Sequence, residues 1–243
     1  MNTKLSSRRV KAVVRKELKD YRRNGHVMAT MVILPLLFVI SPLVQIFALT
    51  ATSAPAISRG YGLLYLLGIP ALVPAAIAAY SVVGERQQGT LEPVLSTPIR
   101  RDEFLFGKAL AALIPSLAVS YGVYAFVIAC VELFAQPAVA SALMRGPEIV
   151  AQILFTPLLA AWSIWMGVAI STRSSDLRVA QQLGMLANVP SVLVTSLIAY
   201  NVIHASLGLA VAAATLLLLL LAGLGWRIAS AVLDRERLIV GAR

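Results

Sequence analysis

Charge is scarce in this sequence. Only 13% of its 243 residues are Asp, Glu, Lys or Arg, roughly half the share of an ordinary soluble domain. By contrast, 59% are hydrophobic and the mean hydropathy is +0.83. That balance excludes a typical soluble domain and a disordered chain. Cysteine is scarcer still: Cys130 stands alone, so there is no internal disulfide and no Cys/His cluster for zinc. The two histidines, His26 and His204, flank different apolar runs. They are expected at opposite faces of a bilayer core about 30 Å thick, where they cannot share a metal. A GxxxxGK[ST] phosphate loop is missing, because Gly107-Lys108 is followed by Ala109, and there is no GxSxG or HExxH. The chain therefore has neither nucleotide-hydrolysis motifs nor a recognisable catalytic set.

Long apolar runs are what it does have. A helix needs about 20 apolar residues to cross the hydrocarbon core. Six such runs occur, at 27–50, 61–83, 108–134, 148–171, 183–203 and 206–227. The last two are separated only by Asn201, His204 and Ser206, so one kinked or re-entrant hairpin is the alternative there. No run alternates as the strands of a lipid-facing barrel do. The expected fold is an all-α integral membrane protein, a six-transmembrane-helix bundle over 27–228. It is preceded by a basic segment, 1–26, and followed by a tail, 229–243.

Six spans place both ends on one side. All basic residues except Arg59 and Arg145, 19 of 21, then fall on that side. The positive-inside rule makes both termini cytoplasmic in a multi-pass protein of the cell membrane. The net charge of +10 is accounted for by membrane lipids with anionic headgroups, and no nucleic acid is implied. The first run is too long for the apolar region of a cleaved secretory signal, so it reads as a retained span.

Within 1–26, Val10, Val13, Val14, Leu18 and Tyr21 recur at helical spacing between basic residues. Ser6 or Ser7 offers a start and Asn24-Gly25 an end. The expectation is an amphipathic interfacial helix. Polar groups inside spans are functional candidates by default. Gln45, Glu132 and Glu148 are the candidates for an outer vestibule on a substrate pathway, although interface solvation or interhelix hydrogen bonding explains such residues as well. Prolines at 35, 42, 70, 74, 115, 157 and 190 interrupt five of the spans, where they shape the bundle or act as hinges.

The segment 84–108 follows the second span directly. It reads Gly84-Glu85-Arg86-Gln87-Gln88-Gly89-Thr90-Leu91-Glu92-Pro93-Val94-Leu95-Ser96-Thr97-Pro98 and continues to Arg101 and Gly107-Lys108. Leu91, Val94 and Leu95 form a short apolar stripe. Thr97-Pro98 is a helix-start signal, with Asp102 and Glu103 near the positive end of the new helix. This run resembles the signature of the membrane subunits of ATP-binding-cassette exporters of the type-2 permease class, roughly E-(R/K)-x-x-G-T-L-E-x-L-L-x-T-P followed by G-K. Pro93-Val94 replaces two residues that are often apolar in the pattern. Arg178-Val179-Ala180-Gln181-Gln182 and Asp234-Arg235-Glu236-Arg237-Leu238-Ile239 are also similar to stretches of that family.

The resemblance implies a permease subunit that forms half of a translocation pathway. It would work with a second copy of itself and two copies of a cytoplasmic ATPase. ATP and magnesium would be bound by that partner and no cofactor by this chain. A cytoplasmic coupling helix between spans two and three would dock into the ATPase. Glu85 and Glu92 would be its charged ends, with Arg86, Gln87, Gly89 and Thr90 between them. Gly89 would allow close approach, Leu91 and Leu95 would seat the helix, and Arg101 would pair with partner or headgroups. The apolar character of the remaining surfaces fits export of a hydrophobic or amphiphilic cargo. Two rivals stand beside this reading: a membrane anchor that recruits an ATPase for mechanical work, and an integral-membrane lipid-processing enzyme. The enzyme lacks any convergent acid, histidine or nucleophile cluster.

Overall fold

The computed structural model of the chain describes residues 6–57, 61–89 and 99–199, together with 216, 219, 220, 223–225 and 227. Among these residues the regular structure is helical throughout. In chain order the elements are α1 (Ser7–Arg23), α2 (Gly25–Ala48), α3 (Ala54–Ile57), α4 (Gly68–Gln87), α5 (Arg101–Phe134), α6 (Pro137–Leu143), α7 (Gly146–Arg173), α8 (Leu177–Leu186) and α9 (Val189–Ala199). A 3₁₀ turn, Gly62–Leu67, leads into α4. Four stretches are long and apolar enough to cross a membrane: Gly25–Ala48, Gly62–Gln87, Asp102–Phe134 and Gly146–Arg173. They coincide with the first four expected spans.

The fifth expected span is different. In place of one helix over 183–203 there are α8 and α9, separated by a turn at 187–188. Pro190 supplies no backbone donor, which favours a break one turn earlier. The fully buried Asn188 sits at that break and donates its side-chain amide to the Gly184 carbonyl at 2.8 Å. The sixth expected span lies outside the described residues apart from the helical positions between 216 and 227, and so does the tail 229–243. A count of six spans therefore exceeds what the described residues contain.

α4 is the axis of the bundle. Its face against α7 is built from small residues. Ser163, Gly167 and Ser171 recur every fourth position on α7, the small-xxx-small pattern that lets membrane helices approach closely. A Cβ on Gly167 would lie 2.8 Å from the Ala78 Cβ and 2.9 Å from the Ala75 carbonyl oxygen. Ser163 donates to the Ala71 carbonyl at 2.6 Å. Ser171 donates to that of Ala79 at 2.5 Å and accepts from the N–H groups of Val82 and Val83. α8 closes another side, with Ala180 packed against Ala79 and Val83.

α1 ends at Arg23, and the next residue serves two helices. Asn24 closes α1 and then caps α2, its side chain accepting from the N–H groups of His26 and Val27. The apolar stripe of α1 is not spent on lipid alone: Val10, Val13, Glu17 and Tyr21 are buried against the bundle, and Val14 and Leu18 are partly so.

Candidate functional site

The residues with the most chemistry meet where α1 crosses the end of α4 and the start of α5. Lys108 lies two turns into α5 and is completely buried. An ammonium in such a place must give all three protons to acceptors. Here it donates to Glu17 of α1 at 3.0 Å and to the Ser81 carbonyl at 2.6 Å, and it pairs with Glu85 of α4 at 3.0 Å. Lys16 reaches the same group, hydrogen-bonding Glu85 and lying 3.4 Å from Glu17. Two cations thus face two carboxylates, and the buried charge is balanced. The Phe104 ring covers the Lys108 ammonium at 4.9 Å.

The proton affinities on α1 follow from this arrangement. Burial alone would raise the Glu17 carboxyl, but the charges of Lys108 and Lys16 hold it below its usual range. Burial would lower Lys16, yet its hydrogen bond to Glu85 and the charges of Glu17 and Glu85 carry it above the ordinary value. Tyr21, buried beside them, is pushed well up, first by burial and then by the Glu17 and Glu85 charges, and stays a neutral phenol.

A second contact fixes the start of α1. The carboxylate of Glu103 accepts from the Ser6 N–H at 2.9 Å, the Arg100 N–H at 3.1 Å and the Arg9 guanidinium at 3.2 Å. α5 accordingly begins at Arg101, with the Glu103 side chain closing back on the Arg100 N–H; the expected start signal at Thr97-Pro98 lies outside the described residues. Between the two contacts, Gly107 gives α1 room: a Cβ there would lie 2.7 Å from Val13. The Gly107-Lys108 pair thus has two local functions, close approach and charge.

The coupling candidates divide at the end of α4. Glu85 is 6% exposed and engaged from inside, so its side chain faces the bundle and not the surroundings. Arg86 donates to the Ser174 and Thr172 carbonyls at 2.8 and 3.1 Å; it satisfies the last carbonyls of α7, which have no partner within their own helix. Gln87 is exposed, and Gln88 hydrogen-bonds the Tyr80 hydroxyl. Gly89 has φ +67, and a Cβ on it would meet nothing within 4 Å; within this chain a left-handed backbone, and not close packing, is what requires glycine. Thr90, Leu91, Glu92 and Leu95 lie outside the described residues, as does the side chain of Arg101.

The three vestibule candidates do not share one buried surface. Gln45 and Glu132 are exposed. Glu148 is buried and accepts from Arg145 at 2.8 Å, and Arg145 in turn stacks over the Tyr61 ring at 5.1 Å. Sequence reasoning missed Glu17, Lys108 and Glu103 as interacting groups. The available signal was four ionisable residues close to apolar spans on three separate segments, with opposite signs able to pair.

The sequence matches the family model described as ABC-2 family transporter protein over residues 11–224. Among curated proteins none matches it significantly. That family consists of membrane permeases without an ATPase domain, in keeping with the missing phosphate loop. With most of its length covered and an all-helical fold that contains four membrane-crossing helices, the chain belongs to the ABC-2 family of transporter membrane proteins.

Proposed function

We propose that this chain is the permease half of an ATP-driven exporter in the cell membrane, working with a second copy of itself and two copies of a cytoplasmic ATPase that holds ATP and magnesium. Its six spans place both termini in the cytoplasm, and its cargo is hydrophobic or amphiphilic. The segment after Gly89 carries Thr90, Leu91, Glu92 and Leu95 into a cleft of the ATPase. Arg101 steadies the return of the chain.

One observation carries this reading. The segment that would meet the ATPase leaves directly from α4, the most enclosed of the crossing helices. The last turns of α4 are tied to α1 and α5 by Glu85 and Lys108, and to the end of α7 by Arg86. A displacement applied beyond Gly89 therefore has a stiff path into the bundle. In this reading Glu85 transmits the movement and does not touch the ATPase, whereas Glu92 does.

The test is co-purification with a phosphate-loop ATPase, followed by cargo-stimulated ATP hydrolysis in lipid vesicles. Glu92→Lys should weaken the association itself. Glu85→Gln should leave association in place while lowering stimulation by cargo. Full stimulation in both variants, or no association with any ATPase in the wild type, would refute the proposal.

A further inference from the structure

The cations of α1 fall into two groups. Arg9 and Lys16 are committed to the carboxylates of Glu103 and Glu85. Arg8, Lys11, Arg15, Lys19, Arg22 and Arg23 are exposed and make no ion pair among the described residues. All of these except Arg8 line an open groove of about 860 Å³ between α1 and α5. The wall beneath them is apolar, with Val14 and Leu18 from α1 and Ile114 from α5. Ile114 is 50% exposed and belongs to a membrane-crossing helix, so the apolar wall of the groove continues into the lipid-facing surface.

We propose that this groove holds one anionic phospholipid of the adjacent leaflet. Its phosphate sits among Arg15, Lys19 and their neighbours, and its acyl chains run along Val14, Leu18 and Ile114. A free anion would leave the apolar wall bare, and a zwitterionic lipid would leave five cations without a counter-charge; a single anionic amphiphile meets both demands. The occupant has a consequence for the ion cluster. α1 presents Lys16 and Glu17 to Glu85 and Lys108 on one face and the groove on another, so a lipid that bridges α1 and α5 favours the docked position of α1. The inference stands without the ATPase partner, since both helices belong to this chain.

The test uses the purified full chain in neutral detergent micelles, titrated with phosphatidylglycerol or phosphatidylcholine. Binding is read by native mass spectrometry, and stability by the thermal unfolding midpoint. Phosphatidylglycerol should bind at least tenfold more tightly and raise the midpoint, and glycerol phosphate should do neither. Arg15→Gln and Lys19→Gln should each weaken phosphatidylglycerol about fivefold, the equivalent of about 1 kcal/mol for one basic residue at an anionic surface. Both side chains are exposed, so the midpoint without lipid should not move. Arg178→Gln removes an exposed cation at the same end of the bundle and should change nothing. Equal binding of the two lipids would overturn the proposal. So would glycerol phosphate acting as well as the lipid, which marks a free-anion site, or Arg178→Gln weakening binding as much as Arg15→Gln, which marks diffuse surface charge.

Discussion

α2 and α4 are both apolar helices of membrane-crossing length, and α2 is the more hydrophobic, yet their surroundings are opposite. In α2 24% of the apolar stretch is buried, against 94% in the stretch that ends in α4. The difference lies in side-chain size. α2 presents Val32, Ile33, Leu36, Leu37, Ile40 and Val44 outward, whereas α4 turns Ala71, Ala75, Ala78, Ala79, Val82 and Val83 to its neighbours. In lipid a leucine gains little by leaving the hydrocarbon for the protein interior, so apolar size alone does not draw a residue inside; Ile69, Ile77 and Tyr80 of α4 are buried where the small residues beside them let the neighbours close in. Helices associate where small residues permit close approach and interhelical hydrogen bonds. Hydropathy therefore locates a span, and residue size decides whether it is an axis or a wall.

The largest effect is expected at the end of α4. Lys108→Met leaves Glu17 and Glu85 without their shared buried cation. Breaking one partner of a buried ion group costs about 3–5 kcal/mol, so this variant should show the largest loss of thermal stability in micelles. Adding Glu85→Gln to it should recover part of the loss, because one uncompensated carboxylate is removed. If Lys108→Met unfolds at the wild-type midpoint, α4 is not anchored through this cluster.

Next in size is Gly167→Leu. The new side chain would meet Ala78 and the backbone of Ala75 on the opposing helix. Backbone cannot rotate away, so overpacking of about 1–3 kcal/mol is expected, with α7 forced off α4. Gly122 on α5 has nothing within 4 Å of a Cβ, and Gly122→Leu should be tolerated. The pair tests whether small residues matter for approach and not for helix propensity.

These contrasts mark how far the sequence could be read. Apolar length located the first four spans, because a bilayer imposes its thickness on any helix that crosses it. Basic residues and turn signals located α1 and its end at Asn24. The interior position of Glu85 was not legible. A carboxylate at the end of an apolar run reads as solvent-facing, and its partners Glu17 and Lys108 come from segments far apart in sequence. The same holds for Arg86, whose acceptors are carbonyls at the end of α7. The break at Asn188 was half visible: Pro190 marks an interruption, but not that the interruption divides the span into two helices. The Ser163, Gly167 and Ser171 series was present at a fixed spacing, and only the structure shows that α4 is what it meets.

Acid should discriminate more finely. Glu17 has a folded-state carboxyl held below its usual range. Its contribution is therefore complete above the unfolded value, about 4.3, and is lost as pH falls through the lower folded value. Unfolding midpoints should decline below about pH 4.3 in the wild type. Glu17→Gln should be less stable at neutral pH and flatter over that acid range. An equal acid decline in both would assign the titration to other carboxylates.

The smallest expected effect lies on α2 and separates two neighbouring positions. Leu37 is 66% exposed and Val39 is 4% exposed. If the outer face of α2 meets lipid, Leu37→Ala exchanges one hydrocarbon contact for another, and the midpoint should shift by less than the equivalent of about 0.5 kcal/mol. Val39→Ala removes two buried carbons, opens a small void against the bundle and should cost about 1–3 kcal/mol, twice the range for losing a single buried methyl group. Reversal of that order would mean that the face bearing Leu36, Leu37 and Ile40 is covered by protein. A second copy of the chain is then the first candidate, and the loss in Leu37→Ala should depend on protein concentration, as it must for an interface and cannot for a lipid-facing wall.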